Sequence, residues 1–222
     1  MKILFLHGFL QTGEHMKSKT GQLRKLFKNT DFVYPDGPFK IISNGDKLDY
    51  QYDNLTLSTK NEMKIDNAPG NRFGWIPHEK DELTKTGIRF KGLQEAVKVV
   101  QQLIEEHKPT RIIAFSQSAT VILYMLKQKL IDSSIKCLLV SPYFFTKFEQ
   151  EKEAQDLDLI YEGSQDNIFT CMYGLTDDVL KQDVYQSLRT KYPNCQYKEH
   201  EGGHFVACSG ELKDFWRTWA QE

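Results

Sequence analysis

Three side-chain types that together can cleave an acyl bond occur in one order along this chain: an alcohol at Ser116, a carboxylate at Asp177 and an imidazole at His204. An alcohol is a weak nucleophile near neutral pH and needs a base. An imidazole, with an ordinary pKa of about 6.5, can take the proton and later return it to a leaving group. A carboxylate behind the imidazole fixes its tautomer and stabilises its charged form. Asp178 competes with Asp177 for that place, and Asp177 is preferred. The backbone N–H groups of Phe9 and Gln117 are the candidate donors to the oxyanion, with Leu10 the alternative to Phe9. One such donor is worth about 3–4 kcal/mol to the transition state.

Positioning these groups requires particular elements. The stretch Ile112-Ile113-Ala114-Phe115-Ser116-Gln117-Ser118-Ala119-Thr120 runs from an apolar, β-branched segment through a serine into an apolar helical segment. Strand, sharp turn and helix with a serine at the apex is the layout of a nucleophile elbow. The start of the helix then offers free N–H groups and a positive dipole end. The elbow pattern G-x-S-x-G reads Ala114-Phe115-Ser116-Gln117-Ser118 here, with small residues at both glycine positions. Taken alone, the stretch fits a core strand meeting a buried helix better than an elbow, and the rest of the chain has to decide.

Lys2–Leu6 reads as a buried strand closed by His7-Gly8, where Gly8 lets the chain turn sharply. His7 at that position is more suited to bridging loop backbone than to acid–base work. An amphipathic helix is expected over Ser18–Lys28 and a strand over Asp31–Tyr34, stopped by Pro35-Asp36-Gly37-Pro38. Residues 39–85 are the least regular and read as a loop-rich insertion with room for a small hairpin. Within them, Arg72-Phe73-Gly74-Trp75-Ile76 is either a binding segment or a hydrophobic plug. Helices follow over Phe90–His107, from the elbow to about Leu130, over Asp183–Tyr192 and over Glu211–Ala220. Strands are expected at Arg111–Phe115, Ile135–Val140, Ile168–Tyr173 and Gln196–His200. Tyr143, Phe144 and Phe145, just past the strand Ile135–Val140, would hang over a site or join the core.

This alternation implies an α/β protein, a single domain over 1–222 with a mostly parallel central sheet flanked by helices on both faces. Ligands of such sheets sit at the carboxyl ends of the strands. Ser116, Asp177 and His204 all fall just beyond strands, on that one edge. Leu10, Trp75, Tyr143 and Phe205 are the residues expected to line a substrate pocket there.

The bulk properties exclude several classes. Net charge is −1, from 29 basic and 30 acidic residues, with no basic block to suggest a nucleic-acid partner. No apolar run approaches the roughly 20 residues of a membrane span. The N-terminal apolar run is too short for a signal peptide and lacks a cleavage site. Cys137, Cys171, Cys195 and Cys208 form no C-x-x-C pair and no zinc spacing. The first three fall within expected strand segments, so reduced, mostly buried thiols in a cytoplasmic protein are expected. No phosphate-binding glycine motif follows any strand.

Four motifs in order carry a resemblance: Leu6-His7-Gly8-Phe9-Leu10-Gln11, Phe115-Ser116-Gln117, Tyr173-Gly174 followed by Asp177, and Gly202-Gly203-His204-Phe205-Val206. Together with Lys19-Thr20-Gly21 and Leu23-Arg24-Lys25 they resemble the FSH-type serine hydrolases, a branch of the α/β-hydrolase superfamily. The order Ser, Asp, His agrees with that superfamily. The resemblance implies an α/β-hydrolase fold and carboxylesterase activity on short- to medium-chain acyl esters, a small-molecule partner, through an acyl-enzyme and without a cofactor. Ser116, Asp177 and His204 would form the triad, with Phe9 and Gln117 at the oxyanion hole. An acyl thioesterase, or a non-enzymatic ligand- or protein-binding protein on the same fold, is the alternative. The chain departs from the family where Ala114 and Ser118 replace the elbow glycines, where Ser141-Pro142 replaces Ser-Gly, and where Ala207-Cys208 replaces Pro-Asn. Ser118 is the departure expected to matter most, by crowding the turn and displacing the Gln117 N–H.

Overall fold

The computed structural model describes residues 1–44, 47–52, 72–80, 88–90, 92–143 and 162–221. The chain begins with β1 (Lys2–Leu6), α1 (Gly13–Lys19), α2 (Gly21–Leu26) and β2 (Asp31–Val33). Five short strands follow: β3 (Phe39–Asn44), β4 (Lys47–Tyr52), β5 (Arg72–Gly74), β6 (His78–Lys80) and β7 (Ile88–Phe90). Next come α3 (Leu93–His107), β8 (Arg111–Phe115), α4 (Gln117–Lys127), β9 (Lys136–Val140) and β10 (Thr170–Gly174). The chain closes with α5 (Gln182–Lys191), β11 (Gln196–His200) and α6 (Leu212–Gln221).

Six strands form one sheet in the order β2-β1-β8-β9-β10-β11, and every pairing in it is parallel. Its central strands are buried on both faces, which is why they read as continuous apolar runs. The period of two divides their side chains between two cores. Leu4, Leu6, Ile112, Ala114 and Leu139 pack under α3, α4 and α5. Ile3, Phe5, Ile113, Leu138, Val140 and Met172 pack against Met16, Leu23 and the α6 tryptophans Trp216 and Trp219. From β1 the chain crosses outward to β2, whereas β8 lies on the other side of β1. The strand order therefore reverses between β1 and β8, and their carboxyl ends flank the crevice where doubly wound sheets bind ligands.

Several expectations differ from the structure. The single helix over Ser18–Lys28 is two short helices broken at Thr20. The Thr20 hydroxyl, fully buried, donates to Met16 O at 2.8 Å and shares a 2.8 Å hydrogen bond with Tyr34 OH. A side chain that bonds back to the preceding turn offers the backbone an alternative to continuing the helix. The helix expected from Phe90 starts at Leu93, because Ile88–Phe90 pairs with His78–Lys80 instead. The region read as loop-rich carries an antiparallel sheet, β4-β3-β5, in addition to the β6–β7 hairpin. Phe39, Ile41 and Phe73 bury its inner side. The alternation noted at Leu55–Leu57, and Phe144 and Phe145, lie outside the described residues.

All four cysteines are free, and Cys137, Cys171 and Cys195 are buried. Cys195 sits in the turn entering β11 rather than in a strand. Burial pushes the Cys137 thiol up to about 12 and the Cys208 thiol up to about 11. Among the described residues no helix is long and apolar enough to cross a membrane, and no cluster of His, Cys, Asp and Glu could hold a metal ion.

Candidate active site

Ser116 sits between β8 and α4 with φ 55° and ψ −116°, a conformation that non-glycine residues rarely adopt. Its backbone is held on both sides: Ser116 N–H donates to Val140 O at 2.9 Å, and Tyr143 N–H donates to Ser116 O at 3.2 Å. The strained turn lifts the hydroxyl to the carboxyl edge of the sheet.

The small residues flanking Ser116 fit the turn. Ala114 is fully buried between Leu6 on β1 and Leu139 on β9. Ser118 does not crowd the elbow as expected. Its fully buried hydroxyl lies 3.1 Å from Leu6 O and 3.0 Å from Phe115 O, donating to the backbone at the end of β1 and within the turn. Ser118 thus ties the elbow to the neighbouring strand. Ser118→Gly should therefore destabilise the fold, by about 1 kcal/mol for the lost hydrogen bond. A midpoint lowered by roughly 2–4 °C in a thermal melt, with turnover kept within about threefold, checks this.

Gln117 contributes more than a backbone N–H. Its Oε1 accepts from Trp75 N at 2.8 Å and Ile76 N at 3.2 Å, and its Nε2 donates to Ile76 O at 2.7 Å. The loop after β1 is fastened to the same segment. Gln11 Oε1 accepts from Gly8 N at 2.9 Å, and Gln11 O accepts from Phe73 N at 3.0 Å. Leu10 within this loop has φ 58°. Hydrogen bonds therefore tie the loop bearing Phe9, the start of α4 and the segment at and just after β5 together. His7 bridges backbone, as expected: Gly37 N–H donates to its Nε2 at 2.8 Å, which leaves Nδ1–H to donate to Gly8 O at 2.6 Å.

Asp177 follows β10, and His204 follows β11. Their loops touch at Gly174, where a Cβ would stand 2.0 Å from Gly202 O, so only glycine fits. Leu175 N–H donates to His200 O at 2.8 Å, and Thr176 N–H to Gly202 O at 3.1 Å. Asp177 Oδ1 accepts from Val179 N at 3.0 Å and Leu180 N at 2.8 Å. Its Oδ2 accepts from Tyr185 OH at 2.5 Å and lies 2.8 Å from His204 Nδ1. On the other side of the ring, His204 Nε2 lies 3.0 Å from Ser116 Oγ. The carboxylate can only accept, so Nδ1 carries the proton and Nε2 is free to accept from the serine. The imidazole is further steadied by Phe115, whose ring centroid is 5.0 Å away. Asp178 is exposed.

Burial alone would raise the Asp177 carboxyl pKa. The Tyr185 hydroxyl, the Leu180 N–H and His204 outweigh it, and the carboxyl is held below its usual value. The contribution to stability is present above the ordinary value of about 4 and is lost as pH falls below it.

The structure brings Ser116, Asp177 and His204 into one hydrogen-bonded line, although they lie far apart in sequence. The four expected pocket residues are placed differently. Leu10 and Tyr143 lie in the loops flanking Ser116, each partly buried. Trp75 is fully buried with its ring 5.6 Å from His7, so it acts as a plug rather than an open pocket wall. Phe205, 50% exposed, packs over His200 and against Gly202. Sequence reasoning missed Tyr185 and the Gln117 side chain. A tyrosine on the inner face of the expected helix, eight residues after Asp177, was the available signal, since a buried phenol needs a partner.

The sequence model described as "Serine hydrolase (FSH1)" matches residues 1–214. The chain belongs to the FSH1 serine hydrolase family. It is 24% identical over 230 residues to Esterase CG5412 of Drosophila melanogaster, covering all of this chain and 74% of that one. It is 24% identical to Esterase OVCA2 of Danio rerio, covering 93% of this chain and 90% of that one. Among solved structures, Arabidopsis thaliana SOBER1 superposes with a TM-score of 0.57 at 17% identity, over 100% of this chain and 97% of that one. A Bacillus cereus carboxylesterase gives 0.54 at 11% identity, over 99% and 88%. The architecture is the α/β-hydrolase fold.

Proposed function

We propose that this FSH1-family serine hydrolase is a carboxylesterase acting on short- to medium-chain acyl esters through a Ser116–His204–Asp177 triad. The observation that carries this reading is the imidazole of His204, within hydrogen-bonding distance of the Ser116 hydroxyl and the Asp177 carboxylate at once. The names of the esterase relatives support the same chemistry.

In this mechanism His204 Nε2 takes the Ser116 proton as Oγ attacks the acyl carbon. The carbonyl π electrons move to oxygen, and the Phe9 and Gln117 N–H groups face the resulting oxyanion. Collapse breaks the bond to the alkoxy oxygen, which leaves as an alcohol with the proton from His204. A water then gives its proton to His204 and attacks the acyl-enzyme. The carboxylic acid departs, and the proton returns to Ser116. Asp177, held below its usual pKa and so ionised near neutral pH, stabilises the imidazolium in both halves. Every group required is a side chain or a backbone amide, so no cofactor is invoked. The four free cysteines, three of them buried, favour a cytoplasmic location.

A panel of p-nitrophenyl esters of two to twelve carbons, run beside matched thioesters, tests the substrate class. The expected result is kcat/KM highest among the short and medium oxygen esters. Faster turnover of every matched thioester would assign a thioesterase instead. Background rates throughout would favour a ligand-binding role.

A further inference from the structure

The Oδ2 atom of Asp177 serves two donors. His204 approaches it at 2.8 Å and Tyr185 OH at 2.5 Å. The Asp177 side chain has no exposed surface, so its partners are protein donors rather than bulk water. The phenol is itself fixed. Tyr185 lies on α5 and is 1% exposed. Its ring stacks on Tyr173 of β10, with centroids 4.1 Å apart and planes 11° from parallel. Tyr173 OH donates to Glu199 Oε1 at 2.8 Å, and Arg189 pairs with the same carboxylate at 2.9 Å while its guanidinium lies over the Tyr173 ring. Residues from α5, β10 and β11 thus hold one hydroxyl against the oxygen that faces the imidazole.

We propose that Tyr185 is a positioning residue of this site, holding the Asp177 carboxylate toward His204 and setting how strongly that carboxylate favours the charged imidazole. The proposal rests on the triad reading above. A phenol donating to a carboxylate oxygen takes up part of its charge, which leaves less to stabilise an imidazolium on the same atom. Without the hydroxyl, Oδ2 becomes more basic, the imidazolium is better stabilised, and His204 stays protonated to higher pH. A protonated His204 cannot accept from Ser116. The acid limb of the kcat/KM profile must therefore move upward.

Other groups near the pair do not produce that shift. His200, at the end of β11, is held below its usual value by burial, which outweighs the attraction of Asp177, and it is the same in wild type and in a variant at position 185. Asp178, beside Asp177, is exposed to solvent. On the β10 side, burial pushes the Cys171 thiol up, keeping it neutral. Arg189 and Glu199 balance each other behind Tyr173.

Tyr185→Phe keeps the ring and its stack while removing only the hydroxyl. Its pH profile of kcat/KM, measured with p-nitrophenyl butyrate beside wild type, is expected to show an acid-limb midpoint raised by about half a pH unit or more, with the plateau lowered roughly three- to tenfold. A limb that superposes on wild type, whatever the plateau, overturns the proposal and leaves Tyr185 a packing residue. Should Tyr185→Phe fail to fold, 3-fluorotyrosine placed at position 185 reverses the sign. Its more acidic phenol donates more strongly, and the limb should fall. An unmoved limb then overturns the proposal. A failure of the triad reading looks different, because Ser116→Ala would then hydrolyse the same ester at the wild-type rate.

Discussion

Ser116→Ala should lower kcat/KM for p-nitrophenyl butyrate by about 10⁵-fold or more, to a rate set by oxyanion donors and binding alone. The nucleophile leaves, and the surrounding machinery stays. The Ser116 hydroxyl has His204 Nε2 as its hydrogen-bond partner, whereas the elbow itself is held by backbone bonds to Val140 and Tyr143. Alanine faces the same strain at φ 55° as serine, so the fold should be kept. Circular dichroism and a melting midpoint close to wild type would separate a lost nucleophile from a lost structure. A fall of less than about tenfold would mean that another group attacks the ester.

Asp177→Asn should cost about 10³- to 10⁴-fold in kcat, while Asp178→Asn stays within about twofold. The contrast follows from where the two carboxylates lie. Asp177 accepts from two backbone N–H groups, a phenol and the imidazole. An amide in its place has one oxygen for these donors and presents N–H groups of its own. Turned so that the amide nitrogen meets His204, it forces the proton onto Nε2, the atom that must accept from Ser116. Turned the other way, it leaves two backbone N–H groups facing donors. Either way a buried donor loses its partner, and stability should also fall by about 1–3 kcal/mol. Steady-state kinetics at pH 8 with both variants, each accompanied by a thermal melt, reads the two effects apart.

The core of the architecture was legible because burial on both sides writes an unmistakable pattern. Ile3–Leu6, Ile112–Phe115 and Leu138–Val140 are short apolar runs bounded by turn residues, and each is a central strand of the parallel sheet. The placement of Ser116, Asp177 and His204 followed from those strand ends, since a parallel sheet gathers every carboxyl end at one edge. What stayed hidden depends on partners distant in sequence. The break at Thr20 is made with Tyr34, and the β3–β5 pairing joins Phe39 to Gly74, far apart in sequence. Neither leaves a local period to read. Ser118 illustrates a third case. Its size was visible in the sequence, but the direction of its hydroxyl depends on Leu6 O, brought alongside by the β1–β8 pairing. Similarly, the sequence exposes only the backbone role of Gln117, because the amides of Trp75 and Ile76 that its side chain accepts from lie in the bend after β5, distant along the chain.

The central claim is that His204 activates Ser116, and the most direct measurement is the site and rate of covalent modification by a fluorophosphonate, read by intact mass and peptide mapping. The expected result is a single adduct on the peptide carrying Ser116, formed rapidly by wild type and slowed by about 10³-fold or more in His204→Ala. No adduct on wild type, an adduct on another residue, or labelling at an equal rate without the imidazole would contradict the account.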